Sequence, residues 1–149
     1  LFPHLSIARN VGLGLRRDLR LTPEDRETVA KALTRVGLSG MEDRKPGNLS
    51  GGQQSRAALA RVLVMGRPLL LLDEPFAALG PALRADMLDL VAEVADETGA
   101  TLIMVSHAPE DAQRIAGKTS VVAEGRAAAP METEALFADP PETLRTYLG

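Results

Sequence analysis

Apolar positions recur along this chain in two rhythms. Val29, Leu33 and Val36 stand four and three residues apart, the spacing of one helical face, and Gly37 follows as a stop. Thr22, Pro23 and Asp25 open that helix with a capping hydroxyl, a proline at the first helical position and a carboxylate two residues on. Upstream, Ser6 can cap a short helix through Val11, before the glycine-punctuated basic connection "GLGLRRDLR". Residues from Ser50 to about Met65 predict a longer helix with Ala58, Val62 and Met65 on one side, ending before Pro68. Another starts at Pro81, turns Leu83, Met87, Leu90, Val91 and Val94 inward, and closes at Gly99. The second rhythm shows no alternation. "LLLLDEP", between Pro68 and Pro75, predicts a central strand buried on both faces, and the β-branched "TLIMV" a second. "TSVVAEGRAAAP" resembles a hairpin turning at Glu124-Gly125, and from Thr133 two short helical pieces are separated by Pro140 and Pro141. Strand, helix, strand in that order implies a right-handed parallel α/β unit that takes ligands at the strand C-terminal ends.

Composition narrows the class. At 149 residues the chain is sized for one domain or part of one. It begins at Leu1 and enters patterned sequence at once, so it is expected to be a piece of a longer protein. A net charge of −3, scarce aromatics and the lack of a dense Lys/Arg run argue against a nucleic-acid partner. Without cysteine, disulfides and thiolate metal sites are excluded, which fits a reducing compartment. The longest apolar run, Leu69 to Leu72, is too short to span a bilayer, so the chain reads as soluble.

Three places carry candidate chemistry. Ser50, Gly51, Gly52 and Gln53 stand at the mouth of a predicted helix, where unpaired N–H groups and partial positive charge suit an anion such as phosphate. The alternative is a glycine-softened cap that binds nothing. No G-x-x-x-x-G-K-[ST] loop accompanies it in these residues. Asp73 and Glu74 close the leucine strand. Adjacent carboxylates there suggest Asp73 holding Mg²⁺ and Glu74 polarising the water that attacks a γ-phosphate; alternatively both cap the turn into "PFAALG" and face solvent. His107 ends the second strand in "VSHAPED" and could reach a terminal phosphate if the strands are neighbours, or serve structure alone. Ser106 and Glu110 fit capping roles equally well, and His4 has no partner in sequence.

In joint order and spacing these segments resemble the ATP-binding subunits of ABC transporters. "LSGGQ" at 49–53 matches the signature motif, "LLLLDEP" the Walker B strand with its following carboxylate, "FAALGPAL" the D-loop, and His107 the switch histidine. The resemblance implies a P-loop NTPase (RecA-like) α/β fold, C-terminal portion, with a helical subdomain over residues 1–62 and the second half of the core, with a short helical tail, over 63–149. The Walker A loop, the adenine-stacking aromatic and the Q-loop glutamine are implied to lie upstream of Leu1. It further implies that Ser50, Gly51, Gly52 and Gln53 contact the γ-phosphate of ATP held by the opposite subunit of a head-to-tail homodimer. Asp73 then assists Mg²⁺, Glu74 is the general base and His107 steadies the γ-phosphate. Gly80 stands where the family D-loop usually carries aspartate, which implies slower or less coupled hydrolysis.

Within the family, "LFPHLSIARNVGLGL", "DEPFAALGPALR" and "MVSHAPEDAQRIAGKTSVVAEGRA" look most like the ATPase subunit of bacterial thiamine importers. The implied partners are transmembrane permease subunits, docking near residues 1–20, and indirectly a periplasmic binding protein, with the ATPase peripheral on the cytoplasmic face of the inner membrane. Two other readings share these residues: a truncated non-catalytic module that docks to a partner without ATP turnover, and an importer ATPase for another small solute.

Overall fold

A computed structural model describes all 149 residues. They form two compact units, Leu1–Val105 and Ser106–Gly149. In the first, helices α1 (Ile7–Gly12), α2 (Pro23–Arg35) and α3 (Gly51–Met65) pack on one another, and β1 (Leu69–Asp73), α4 (Pro81–Thr98) and β2 (Thr101–Val105) follow.

Local chemistry sets each helix boundary. The Ser6 hydroxyl accepts from the Arg9 N–H at the start of α1. At α2 the Thr22 hydroxyl accepts from the Asp25 N–H while the Asp25 carboxylate accepts from the Thr22 N–H, a reciprocal pair that satisfies two donors the helix leaves unmet. Gly37, at φ +72°, stops α2: its N–H donates to Thr34 O and that of Leu38 to Leu33 O, returning the buried Leu38 to the helix it leaves.

The core of this unit is Ile7, Val11, Val29, Leu33, Val36 and Leu38 in the helical layer, with Met87, Val91 and Val94 on α4. The buried α4 positions match the predicted face except Leu83, which is half-buried. For α3 the predicted face is corrected. Ala57, Leu59 and Ala60 are buried, whereas Ala58 and Met65 are exposed and Val62 is half-buried. Apolar residues surround most of this helix, so periodicity alone does not choose its inward side; the neighbours α1 and α2 do, and the small Ala57 and Ala60 allow close approach. Gly14, in the turn after α1, shows how close. A Cβ there would lie 2.7 Å from Arg61 O and 2.6 Å from a Val64 methyl.

Two polar devices have no signature in the local sequence. Asn10, fully buried, donates from its amide to Phe2, Leu5 and Ser6 carbonyls and accepts from the Phe2 N–H, pinning the segment ahead of α1. Arg35, ending α2, reaches α4 with bonds of 3.1 and 2.6 Å to Glu97 and 3.0 Å to Glu93. Those bonds raise the Arg35 pKa further and hold Glu97 below the usual carboxylate range.

β1 and β2 pair parallel over their full length, Leu69 against Thr101 through Asp73 against Val105, as the strand–helix–strand order requires. Their burial is not as expected. Only Leu70 of β1 is buried, with Leu72 intermediate; Leu69, Leu71, Ile103 and Val105 are exposed, Leu71 by 68%. The unalternating leucine run is that of a strand covered on both faces, yet within these residues α4 covers one face only.

The second unit contains α5 (Pro109–Ile115), four two-residue strands, β3 (Lys118–Thr119), β4 (Val122–Ala123), β5 (Arg126–Ala127) and β6 (Met131–Glu132), then α6 (Thr133–Ala138) and α7 (Glu142–Leu148). β4 and β5 form the expected hairpin, with Glu124 and Gly125 both at positive φ, +50° and +72°, the signature of a type I′ turn. β3 pairs antiparallel with β6, and Leu136 and Leu144 are buried.

Gly14→Ala drives a methyl group into an α3 carbonyl that cannot rotate away, so it should destabilise the chain by about 1–3 kcal/mol, whereas Gly51→Ala meets nothing within 4 Å and should change stability little. Urea unfolding of the two variants checks the order. The Asp25 carboxylate is held below the ordinary aspartate range, first by the Thr22 N–H and then by Arg16. A lowered pKa contributes stability that is present above the unfolded value of about 3.9 and is lost as pH falls through the folded one. The stability gap between wild type and Asp25→Asn should therefore be constant from neutral pH down to about 5 and shrink below about 4 in pH-dependent thermal melts.

Candidate functional site

The chain enters α3 through a single 3-10 turn, Pro46–Asn48, and Ser50 takes extended backbone angles, φ −65° and ψ 161°. Its hydroxyl accepts from the Gln53 N–H at 3.3 Å, and the Gln53 side-chain oxygen Oε1 accepts from the Ser50 N–H at 3.0 Å. Ser50 and Gln53 thus brace each other, and the serine O–H proton remains a donor available to an anion. The N–H groups of Gly51 and Gly52 lie in the first turn, where no carbonyl four residues back exists within the helix. No acidic side chain sits in that turn.

The two glycines do different work. Gly51 is exposed and a Cβ there would meet open space, so its backbone can be approached closely. Gly52 is buried, and a Cβ there would fall 2.3 Å from a methyl of Leu83 in the first turn of α4. Its missing side chain lets the mouth of α3 close on α4. Spacing in the sequence marks both glycines; nothing in it marks Leu83 as the partner.

The end of β1 is the second part. The parallel register sets Asp73 opposite Val105, and Glu74, one residue past the strand, donates its N–H to Val105 O at 3.0 Å. Asp73 is exposed and Glu74 half-buried. Glu74 adopts φ +47°, a left-handed conformation that costs a non-glycine residue roughly 1–2 kcal/mol and recurs at functional positions. The bond to β2 holds the residue there. Beyond it the buried Phe76 anchors a turn closed by Leu79 N–H to Phe76 O at 3.0 Å. Gly80 then starts α4 as an N-cap with no side-chain bond, and a Cβ at Gly80 would meet nothing.

His107 belongs to the second unit, between Ser106 and α5. Its carbonyl accepts from the Tyr147 hydroxyl at 2.5 Å. Ser106 accepts from the Ala108 N–H at 3.1 Å and donates to the buried Asp111 carboxylate at 2.6 Å, whereas α5 has Ala108 as its N-cap with no side-chain cap bond, so the capping role expected of Ser106 and Glu110 is replaced by a brace on the turn ahead of the helix. His4 stacks edge-on with Phe2 at 6.0 Å between ring centroids.

The residues present fit a nucleotide phosphate: an acid-free helix mouth with Ser50 and Gly51 exposed, and an acidic strand end. No three His, Cys, Asp or Glu side chains converge into an all-protein metal cage. An exposed Asp73 suits Mg²⁺, which binds through one or two carboxylates together with substrate phosphates and water.

Residues 1–77 match the ABC transporter family model. The chain is 64% identical, over its whole length, to the thiamine import ATP-binding protein ThiQ of Cereibacter sphaeroides, and 60% identical to that of a Ruegeria species. It spans 64% of the length of each of these relatives. Among solved structures, CbiO1 of Clostridium perfringens, described as part of the ABC transporter complex CbiONQ, superposes with a TM-score of 0.82 at 33% identity, covering 98% of this chain and 57% of that one. A putative metal-chelate type ABC transporter in an inward-facing conformation also gives a TM-score of 0.82, at 27% identity over 91% of this chain and 55% of the other. The register that sets an acidic pair at a strand end, the capped glycine mouth and the extent of these matches agree: the chain belongs to the ABC transporter family, as part of its ATPase domain.

Proposed function

We propose that this chain is the C-terminal portion of the ATP-binding subunit of a bacterial importer, with thiamine as the transported solute. The observation that carries this reading is the whole-chain identity to thiamine import ATP-binding proteins, at 64% and 60%. Residues 1–62 form its helical subdomain and 63–149 the second half of its core. The subunit acts through permease partners from the cytoplasmic face; no helix of its own is long and apolar enough to cross a membrane.

The roles follow from the chemistry of each position. Ser50 and the N–H groups of Gly51 and Gly52 donate to the terminal phosphate of ATP held by a second copy, and Gln53 keeps Ser50 in place. Glu74 accepts a proton from the attacking water, its backbone fixed by Val105 so that the carboxylate starts from one position. His107 donates to the γ-phosphate. Asp73 would hold Mg²⁺, which when bound offsets the charge of the phosphate oxygens. The exposed face of Leu69, Leu71, Ile103 and Val105 belongs against the remainder of the ATPase core.

In the full-length subunit assembled with its membrane partner, Glu74→Gln should lower ATP turnover about 100-fold or more while leaving nucleotide binding intact, and abolish thiamine uptake. Undiminished turnover in that variant removes Glu74 as base, and normal hydrolysis without uptake of labelled thiamine removes the solute. Purified residues 1–149 lack the Walker A loop and should show negligible ATP hydrolysis in a phosphate-release assay. Clear turnover that Glu74→Gln abolishes would refute this.

A further inference from the structure

One peptide plane of the second unit is held from both ends by side chains. It joins His107 to Ala108. Its carbonyl accepts from the Tyr147 hydroxyl of α7, forty residues along the chain, at 2.5 Å. Its N–H, that of Ala108, donates to the Ser106 hydroxyl at 3.1 Å. The Ser106 hydroxyl is in turn oriented by donating to Asp111, which is only 4% exposed, at 2.6 Å. The Asp111 N–H closes the turn onto Ala108 O at 3.1 Å.

We infer that Tyr147 is a positioning residue for His107, acting through the 107–108 peptide; this rests on the reading of His107 as a γ-phosphate contact. Rotation about the His107 Cα–C bond is one freedom that would let the imidazole wander relative to the chain that follows, and a peptide plane tied at both its oxygen and its nitrogen restrains it. Ser106 and Asp111 supply the local tie, within α5 and its approach. Tyr147 supplies the distant one, so that α7, which contributes no candidate catalytic group, sets the histidine's backbone. Packing does not explain the tyrosine: the residue is 62% exposed, so its ring gains little from burial, and its hydroxyl makes the directed contact. For the same reason Tyr147→Phe removes one hydroxyl and leaves the fold in place.

The test uses the full-length subunit with its membrane partner and compares Tyr147→Phe, Ser106→Ala, His107→Ala and the double variant Tyr147→Phe/His107→Ala. Loss of a positioning hydrogen bond should lower kcat about threefold to tenfold in Tyr147→Phe with KM for ATP unchanged. Ser106→Ala, which cuts the other tie of the same plane, should act in the same direction. In the His107→Ala background, removing the Tyr147 hydroxyl should have no further effect, because the group it positions is gone. In the single variant the imidazole resonances of isotopically labelled His107 should shift or broaden. If His107→Ala leaves kcat unchanged, the role of His107 itself falls, and this inference with it. If His107→Ala lowers kcat but Tyr147→Phe does not, or if the two losses multiply in the double variant, the positioning role alone is overturned.

Discussion

The arrangement depends on the register of one parallel strand pair. Asp73 stands opposite Val105, and the carbonyl of Val105 takes the N–H of Glu74. That single bond decides that the acidic pair leaves the sheet at a fixed point and that Glu74 is held at a positive φ. A slip of the pairing by one residue would turn every side chain of β1 to the other face and remove the bond. β1 and β2 are joined by the 18-residue helix α4, which packs on β2 and buries Met87, Val91 and Val94. The position of the acidic pair at the strand end is thus tied to the pairing of the two strands rather than to the pair's own side chains.

The helical layer shows the same coupling at smaller scale. Gly14 and Gly52 are both places of close approach: a Cβ at Gly14 would run into an α3 carbonyl, while one at Gly52 would require the Leu83 methyl groups to move. The glycine that reads from sequence as part of a phosphate mouth is also where α3 meets Leu83 of α4. Arg35 adds a bridge from α2 to the same helix through Glu93 and Glu97. Since all three groups are partly or largely solvent-exposed, the bridge is better regarded as an orienting contact than as a large store of stability.

Much of this is legible in the order of residues alone. Thr22 with Asp25, and Ser50 with Gln53, act through neighbours three residues apart, so spacing reveals them, as it does the turn at Glu124-Gly125. The strand–helix–strand order and the strand-end position of Asp73 follow from composition and chain order. Long-range contacts are not legible in this way. Asn10 looks like any surface amide until the chain ahead of α1 folds over it, and Tyr147 meets His107 across forty residues that no local pattern connects. The inward face of α3 departs from its periodicity because a helix apolar on several sides takes its orientation from its neighbours. The leucine strand is less buried than its composition predicts for a related reason: sequence records the surroundings a strand is adapted to, and here only one of its faces meets a layer.

That open face changes the thermodynamics of the chain. Leu69, Leu71, Ile103 and Val105 are 45–68% exposed before unfolding begins, so only part of their surface adds to the hydration difference between native and denatured states. The heat-capacity increment of unfolding, normally about 12–15 cal/mol/K per residue, should therefore be smaller than for a fully covered sheet, with a correspondingly flatter curve of free energy against temperature. Seating another layer on those four side chains would restore the increment and sharpen the melt, making calorimetry a direct gauge of whether the sheet is covered.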